Sequence, residues 1–390
     1  MDGDIFDDLV PDFTGLLDAP APAARPAPGA SPYAGLDATR FWRTGVAETH
    51  PLTVEGLYSK RFPIGTRDRI ATAGSCFAQH IATHLRARGF RVLDLEPAPW
   101  GFEPAQAQAF GYGVYSARFG NLYTARQLLE LLREAMVERP PEPIVWEKGG
   151  RFFDALRPGV EPEGLGSPEE VALHRRIHLG RVRTMFERTD VFVFTFGLTE
   201  SWRDRATGRT LPTCPGTIAG TFDPAAHAFH NFTVQETLDD YHAFRAELAA
   251  INPGVRHLVT VSPVPLTATA AGIHVLLAST WSKSALRAVA GQLYAECPDL
   301  DYFPSYEIIA SPWSRGFFFE PNLRSVSPAG VAAVMRVFFA EHAVAAPPGR
   351  AEVPAPEDRP RGGRRGKAGR NRRAAEDAVC EEMLLDAFRP

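Results

Sequence analysis

Apolar and polar positions along this chain fall into short runs whose period changes. Arg69-Ile70-Ala71-Thr72-Ala73 is a brief, nearly continuous apolar run, the pattern of a buried strand. Gly74-Ser75-Cys76 follows as a turn, and residues 77–88 take the helical period until Gly89 stops it. Residues 90–95 read as a second strand. Residues 124–136 return to the helical period, with Thr124 as the N-cap. Residues 190–196 form the clearest buried strand, apolar on both faces and rich in β-formers, and residues 256–262 form another. Strands alternating with helices in this way predict an α/β fold, a three-layer α/β/α sandwich around a mainly parallel sheet.

Composition divides the chain into three regions. Residues 1–38 hold an acidic, partly apolar patch around Ile5-Phe6-Asp7-Asp8-Leu9 and then a Pro/Ala stretch, too poor in buriable surface to offset its ordering entropy. Residues 39–343 carry the alternating pattern and are the expected folded body. Residues 344–390 contain eight basic residues between Arg359 and Arg373 in a Gly-rich setting, a disordered arm able to meet an anionic partner. Beyond it, residues 374–385 have the spacing of a short amphipathic helix. The net charge of −4 argues against nucleic-acid binding by the molecule as a whole. No run of eighteen apolar residues and no basic-then-apolar leader occurs, so no membrane association is expected and the location expected is cytoplasmic. Four scattered cysteines, with no C-x-x-C pair, fit reduced thiols better than a disulfide framework.

Ligands of open parallel sheets sit at the carboxyl ends of the strands. Those ends read Gly74-Ser75-Cys76-Phe77, then Gly197-Leu198-Thr199-Glu200-Ser201-Trp202, then Ser262-Pro263-Val264-Pro265-Leu266. At the first, a strand–turn–helix junction would set a side chain where helix N–H groups favour negative charge. A Cys there can become a nucleophile through a lowered pKa, and a Ser through a nearby His. The plainer reading is a turn glycine, a capping serine and a small core cysteine. His80 lies one helical turn after Cys76, with His84 continuing the row, and a helix surface accounts for these as well as a metal would. His274 follows the third strand end. His174 and His178 lie among arginines and read as a surface helix. No metal set, phosphate loop or dinucleotide fingerprint is present, so neither nucleotide nor other cofactor is expected.

At these residues the chain resembles a known family. Ala73-Gly74-Ser75-Cys76-Phe77-Ala78-Gln79-His80 is similar to the motif that names the GSCFA family. Blocks at 115–129, 196–202, 261–266, 281–284, 301–308 and 330–331 resemble its proteobacterial members, so the resemblance spans about residues 40–340. That family in turn resembles the SGNH/GDSL esterases and lipases, whose first block is Gly-Asp-Ser with Ser as nucleophile. The resemblance implies that Gly74 takes the Gly, Ser75 the Asp and Cys76 the nucleophile. Gly120 then matches the second-block Gly, and Gly197-Leu198-Thr199-Glu200 matches a Gly-x-Asn-Asp block with Thr199 in place of the oxyanion Asn. The late Asp-x-x-His of those enzymes falls on residues 320–327, which contain no His.

The implied activity is an acyl-ester hydrolase or acyltransferase, with an acylated carbohydrate as substrate by analogy. Cys76, or else Ser75, attacks the carbonyl and His274 or another His is the base. The N–H groups of residues 76 and Gly120, with Asn121 or Thr199, hold the oxyanion. Two other readings compete: a non-catalytic glycan- or partner-binding module that keeps the fold, and an assembly protein whose basic tail meets nucleic acid or an anionic surface.

Overall fold

A computed structural model describes residues 31–342 apart from Val54, together with Leu384, Leu385 and Phe388. The acidic patch, the Pro/Ala stretch, the basic run and nearly all of the expected terminal helix lie outside the described residues.

Four parallel strands form the central sheet in the order β1 (Ile70–Gly74), β4 (Val191–Phe196), β8 (Arg256–Val261) and β9 (Leu300–Tyr302). Each of the first three is flanked by helices because its side chains are apolar on both faces. Every residue of β1 and β4 is buried. Phe192, Phe194 and Phe196 face one side, against α3 (Ala125–Met136), α4 (Pro168–Arg188), α5 (Val234–Ile251) and α6 (Val275–Glu296). Val191 and Val193 face the other, against α1 (Phe77–Ala87), α7 (Ser305–Ala310) and α8 (Pro328–Glu341). The expected three-layer α/β/α architecture is therefore what the structure shows. Thr124 caps α3 as read from the sequence, in a reciprocal capping box with Gln127.

The expected strand at 90–95 is reduced to one bridge, Val92 beside Ile70 in parallel, made by Ile70 N–H to Arg91 O and Leu93 N–H to Ile70 O. Pro97 and Pro99 follow, without the N–H groups that would extend the ladder. The chain leads through the short α2 (Pro104–Ala109) instead. That single bridge still fixes the topology. It places residues 90–93 on the outer side of β1, so the chain steps outward from β1 and later returns to β4 on the inner side. The direction of winding reverses between β1 and β4, and the carboxyl ends of those two strands flank the switch point.

Two further elements were not legible. The hairpin β2 (Val145–Lys148)–β3 (Arg151–Asp154) and the antiparallel sheet of β6 (Thr210–Leu211), β5 (Glu200–Asp204) and β7 (His227–Asn231) project from the sandwich and pack on each other through Trp146, Phe153, Leu211 and Trp202. A correction concerns α4. Its outer face is exposed as read, with Arg176 and Arg181 in solvent, but Arg175 and His178 are fully enclosed, Arg175 paired with Glu134 and Asp154 and His178 hydrogen-bonded to Glu96. Buried charges of this kind are tolerated only when paired. The partners come from α3, β3 and the 90s loop, so the sequence near α4 gave no sign of them.

Candidate active site

Gly74 ends β1 with φ of +131°, and a Cβ there would collide with the Thr195 carbonyl. Only glycine turns off the sheet so close to a neighbouring backbone. The turn stays anchored, because Ser75 N–H donates to Thr195 O and Leu122 N–H to Gly74 O. Cys76 then heads α1, with φ −52° and ψ −29°, and its thiol does not cap the helix. Ala78 N–H to Ser75 O and Gln79 N–H to Cys76 O close the first turn. The amides of residues 76 and 77 are thus the ones with no acceptor inside the helix.

Ser75 is 2% exposed and Cys76 5%. Their surroundings differ. Ser75 Cβ lies 2.9 Å from where a Cβ on Gly197 would stand, so Gly197 is a glycine of close approach that clamps the serine. The Ser75 hydroxyl is buried with no hydrogen-bond partner among the described residues, as are those of Thr72, Thr195 and Thr199. Ser75, Thr195 and Thr199 stand at the ends of β1 and β4, the switch point, and Thr72 lies further inside β1.

The loop after β4 is held from three directions. Gly197 N–H and Leu198 N–H both donate to Tyr123 O. Lys283 Nζ, on the buried side of α6, donates to Gly197 O at 2.6 Å, and Ser282 Oγ accepts from Thr199 N–H at 3.0 Å. A second arm comes from the loop before α3, where Gly120 has φ of +71°. Gln79 Nε2 on α1 donates to Tyr115 OH at 3.3 Å, and Tyr115 OH donates to Asn121 Oδ1 at 2.5 Å. With Oδ1 taken, Nδ2 is the donor end of the Asn121 carboxamide. Glu200 turns away toward the loop after β8, accepting from Thr269 Oγ1 at 2.6 Å, and burial holds its carboxyl above the usual range.

The structure therefore brings Gly74, Ser75, Cys76, Asn121, Gly197 and Thr199 to the carboxyl ends of β1 and β4. His274 heads α6, where its Nδ1 accepts from Leu276 N–H, and its ring is engaged with its own helix. It lies eight residues before Ser282, about 12 Å along the helix axis. His80 is nearer: half-buried at i+4 from Cys76 on α1, its ring edge-on to Phe77. In the 320s loop, Asn322 Nδ2 donates to Ser325 Oγ at 3.0 Å, a neutral pair at i, i+3. Among the described residues no group of three or more His, Cys, Asp and Glu could hold a metal ion. Gln79, Tyr115, Ser282 and Lys283 were not singled out in the sequence, although each lies in one of the resembling blocks.

A family model matches residues 69–338, from the strand that opens the crevice to the last helix of the sandwich. The chain belongs to the GSCFA family. No curated protein and no solved structure matches it. The motif that names this family thus occupies the switch-point turn. No described helix of this GSCFA protein is long and apolar enough to cross a membrane.

Proposed function

We propose that this GSCFA protein is an acyl-ester hydrolase or acyltransferase of SGNH-like design, with Cys76 as nucleophile and an acylated carbohydrate as the substrate class. The observation that carries this reading is the position of Cys76, at the first turn of α1 and on the topological switch point, where helix N–H groups and dipole favour a thiolate and an oxyanion. Ser75 is wedged against Gly197, which makes it the positioning member of the pair.

In this reading the thiol proton passes to an imidazole, for which the geometry favours His80 over His274. Cys76 Sγ adds to the ester carbonyl carbon and the carbonyl π pair moves to oxygen. The amides of residues 76 and Gly120 and the Asn121 Nδ2 stabilise that oxyanion. Collapse expels the alkoxide, which takes the proton from the imidazolium. Water or an acceptor hydroxyl then attacks the thioester, gives its proton to the imidazole and releases the thiolate.

One observation favours the non-catalytic alternative. The Asn322–Ser325 pair stands where SGNH-like enzymes would have Asp-x-x-His, and neither side chain takes up a proton near neutral pH. A glycan- or partner-binding module would keep the crevice without needing a base there.

Alkylation of the intact protein with iodoacetamide, mapped by mass spectrometry across pH, separates the two. Burial pushes the Cys214 thiol up to about 11 and raises that of Cys297, so both serve as unreactive internal references. Selective alkylation of Cys76 below pH 7, with p-nitrophenyl acetate turnover falling about 10⁴-fold in Cys76→Ala, is the expected result. Full turnover in Cys76→Ala overturns the thiol mechanism. Unselective labelling with no turnover favours the binding module.

A further inference from the structure

A cleft of about 740 Å³ opens between the β5–β6–β7 sheet and the loop after β8. Its apolar walls are Leu198, Trp202, Phe222, Phe229 and Leu266. It starts at Leu198, the residue after the Gly197 that clamps Ser75, so it runs outward from the candidate site. Leu198 and Leu266 also pack with Tyr123, whose carbonyl holds the same loop. The remaining wall is supplied by the far end of the chain: Leu385 and Phe388 line the cleft. Leu385 is half-buried there and Phe388 remains two-thirds exposed, a shallow seat.

We propose that this cleft binds the aliphatic chain of a neutral acyl ester and that Leu385 and Phe388 complete its apolar wall. The assignment of the chain as an acyl group rests on the ester-handling reading above. The volume is free with both side chains in place and lies in the range of small-molecule sites. Glu200 on the wall sets the charge preference, since a carboxyl beside the bound chain disfavours a free fatty-acid anion relative to its ester.

The test measures binding of a neutral apolar fluorophore, N-phenyl-1-naphthylamine, to the full chain, with methyl decanoate and decanoate as displacers. In L385Q/F388Q the fluorophore should bind about tenfold more weakly than in the wild type, because two apolar faces of the wall become polar. Ala268→Trp, an exposed position on the cleft rim, should abolish binding when introduced into the wild type. Methyl decanoate should displace better than decanoate. Equal affinity in wild type and L385Q/F388Q overturns the wall role of the two side chains. Binding that Ala268→Trp leaves unchanged, or an absence of binding in the wild type, overturns the cleft assignment. Because no turnover is read, loss of esterase activity with this binding intact would sink the catalytic reading alone.

Discussion

Two regions of this protein bury polar atoms to the same depth and treat them in opposite ways. Behind α3 and α4, Arg175 donates to Glu134 and Asp154, Arg157 to Asp154, Arg209 to Glu134, and His178 meets Glu96 at 2.6 Å. Each buried charge there has an opposite charge within reach. At the switch point the neutral hydroxyls of Ser75, Thr195 and Thr199 have no partner among the described residues, and the buried Lys283 Nζ donates to a backbone carbonyl. Two strongly shifted groups lie in the first region, where burial and Arg157 hold His178 down to about 4, and His178 and Arg157 bring Glu96 to about 2 despite its burial. A search guided by shifted pKa values alone would include the ionic cluster. That cluster pairs its charges as a structural lock should, although His178 Nε2 and Arg209 Nε have no hydrogen-bond partner among the described residues. The hydroxyls at the switch point are unpartnered and stand at the reversal of the sheet, where the proposed ligand site would be.

The largest expected effect breaks the lock. Arg175→Met leaves Glu134 and Asp154 enclosed with one fewer cation, and should lower unfolding free energy by about 3–5 kcal/mol in urea titration. The alkylation rate of native Cys76 should not change, because the crevice shares no partner with Arg175. A loss under about 1 kcal/mol, or a changed Cys76 rate, would show that the two regions are not separate devices.

A smaller effect follows from pH. His178 and His257 are fully enclosed, and burial lowers each to about 4 from an ordinary 6.5. The unfolded chain takes up these protons near pH 6.5 and the folded chain does not until near 4. Stability from each is complete above 6.5 and is lost as pH falls through that window, by about 3 kcal/mol per histidine. In His178→Asn the slope of unfolding free energy against pH between 6.5 and 4 should be shallower by about one proton. An unchanged slope would mean that His178 is already charged in the fold.

The contrast also explains what the sequence could show. The central strands were legible because a run such as Val191-Phe192-Val193-Phe194 has one stable use, burial on both faces. The crevice was legible because Gly74, Cys76, Gly197 and Thr199 follow such strands directly. The projecting sheet was not: Glu200, Trp202, Arg203 and Asp204 are all half-exposed, so β5 carries no apolar alternation. Nor was the lock, since Arg175 and Glu134 are 41 residues apart and a buried arginine is indistinguishable from an exposed one until its partner is placed. The support of Asn121 was hidden for the same reason. Its residue type suggested an oxyanion donor, but its orientation depends on Tyr115 and Gln79.

That support gives the smallest effect and the sharpest test of the crevice. Tyr115→Phe keeps the ring stacked on Phe119, 5.5 Å between centroids, and removes only the hydroxyl between Gln79 and Asn121. Stability should fall by about 1 kcal/mol for the lost buried hydrogen bonds. If Asn121 Nδ2 meets the oxyanion, loosening its carboxamide weakens an interaction made only in the transition state. Turnover of p-nitrophenyl acetate should then drop about tenfold in kcat with KM unchanged. A rise in KM at constant kcat would place Asn121 in ground-state binding and favour the glycan-binding reading. No kinetic change beside the expected loss of stability would make the Gln79–Tyr115–Asn121 chain a second structural lock, and the contrast between the two regions would then rest on the hydroxyls alone.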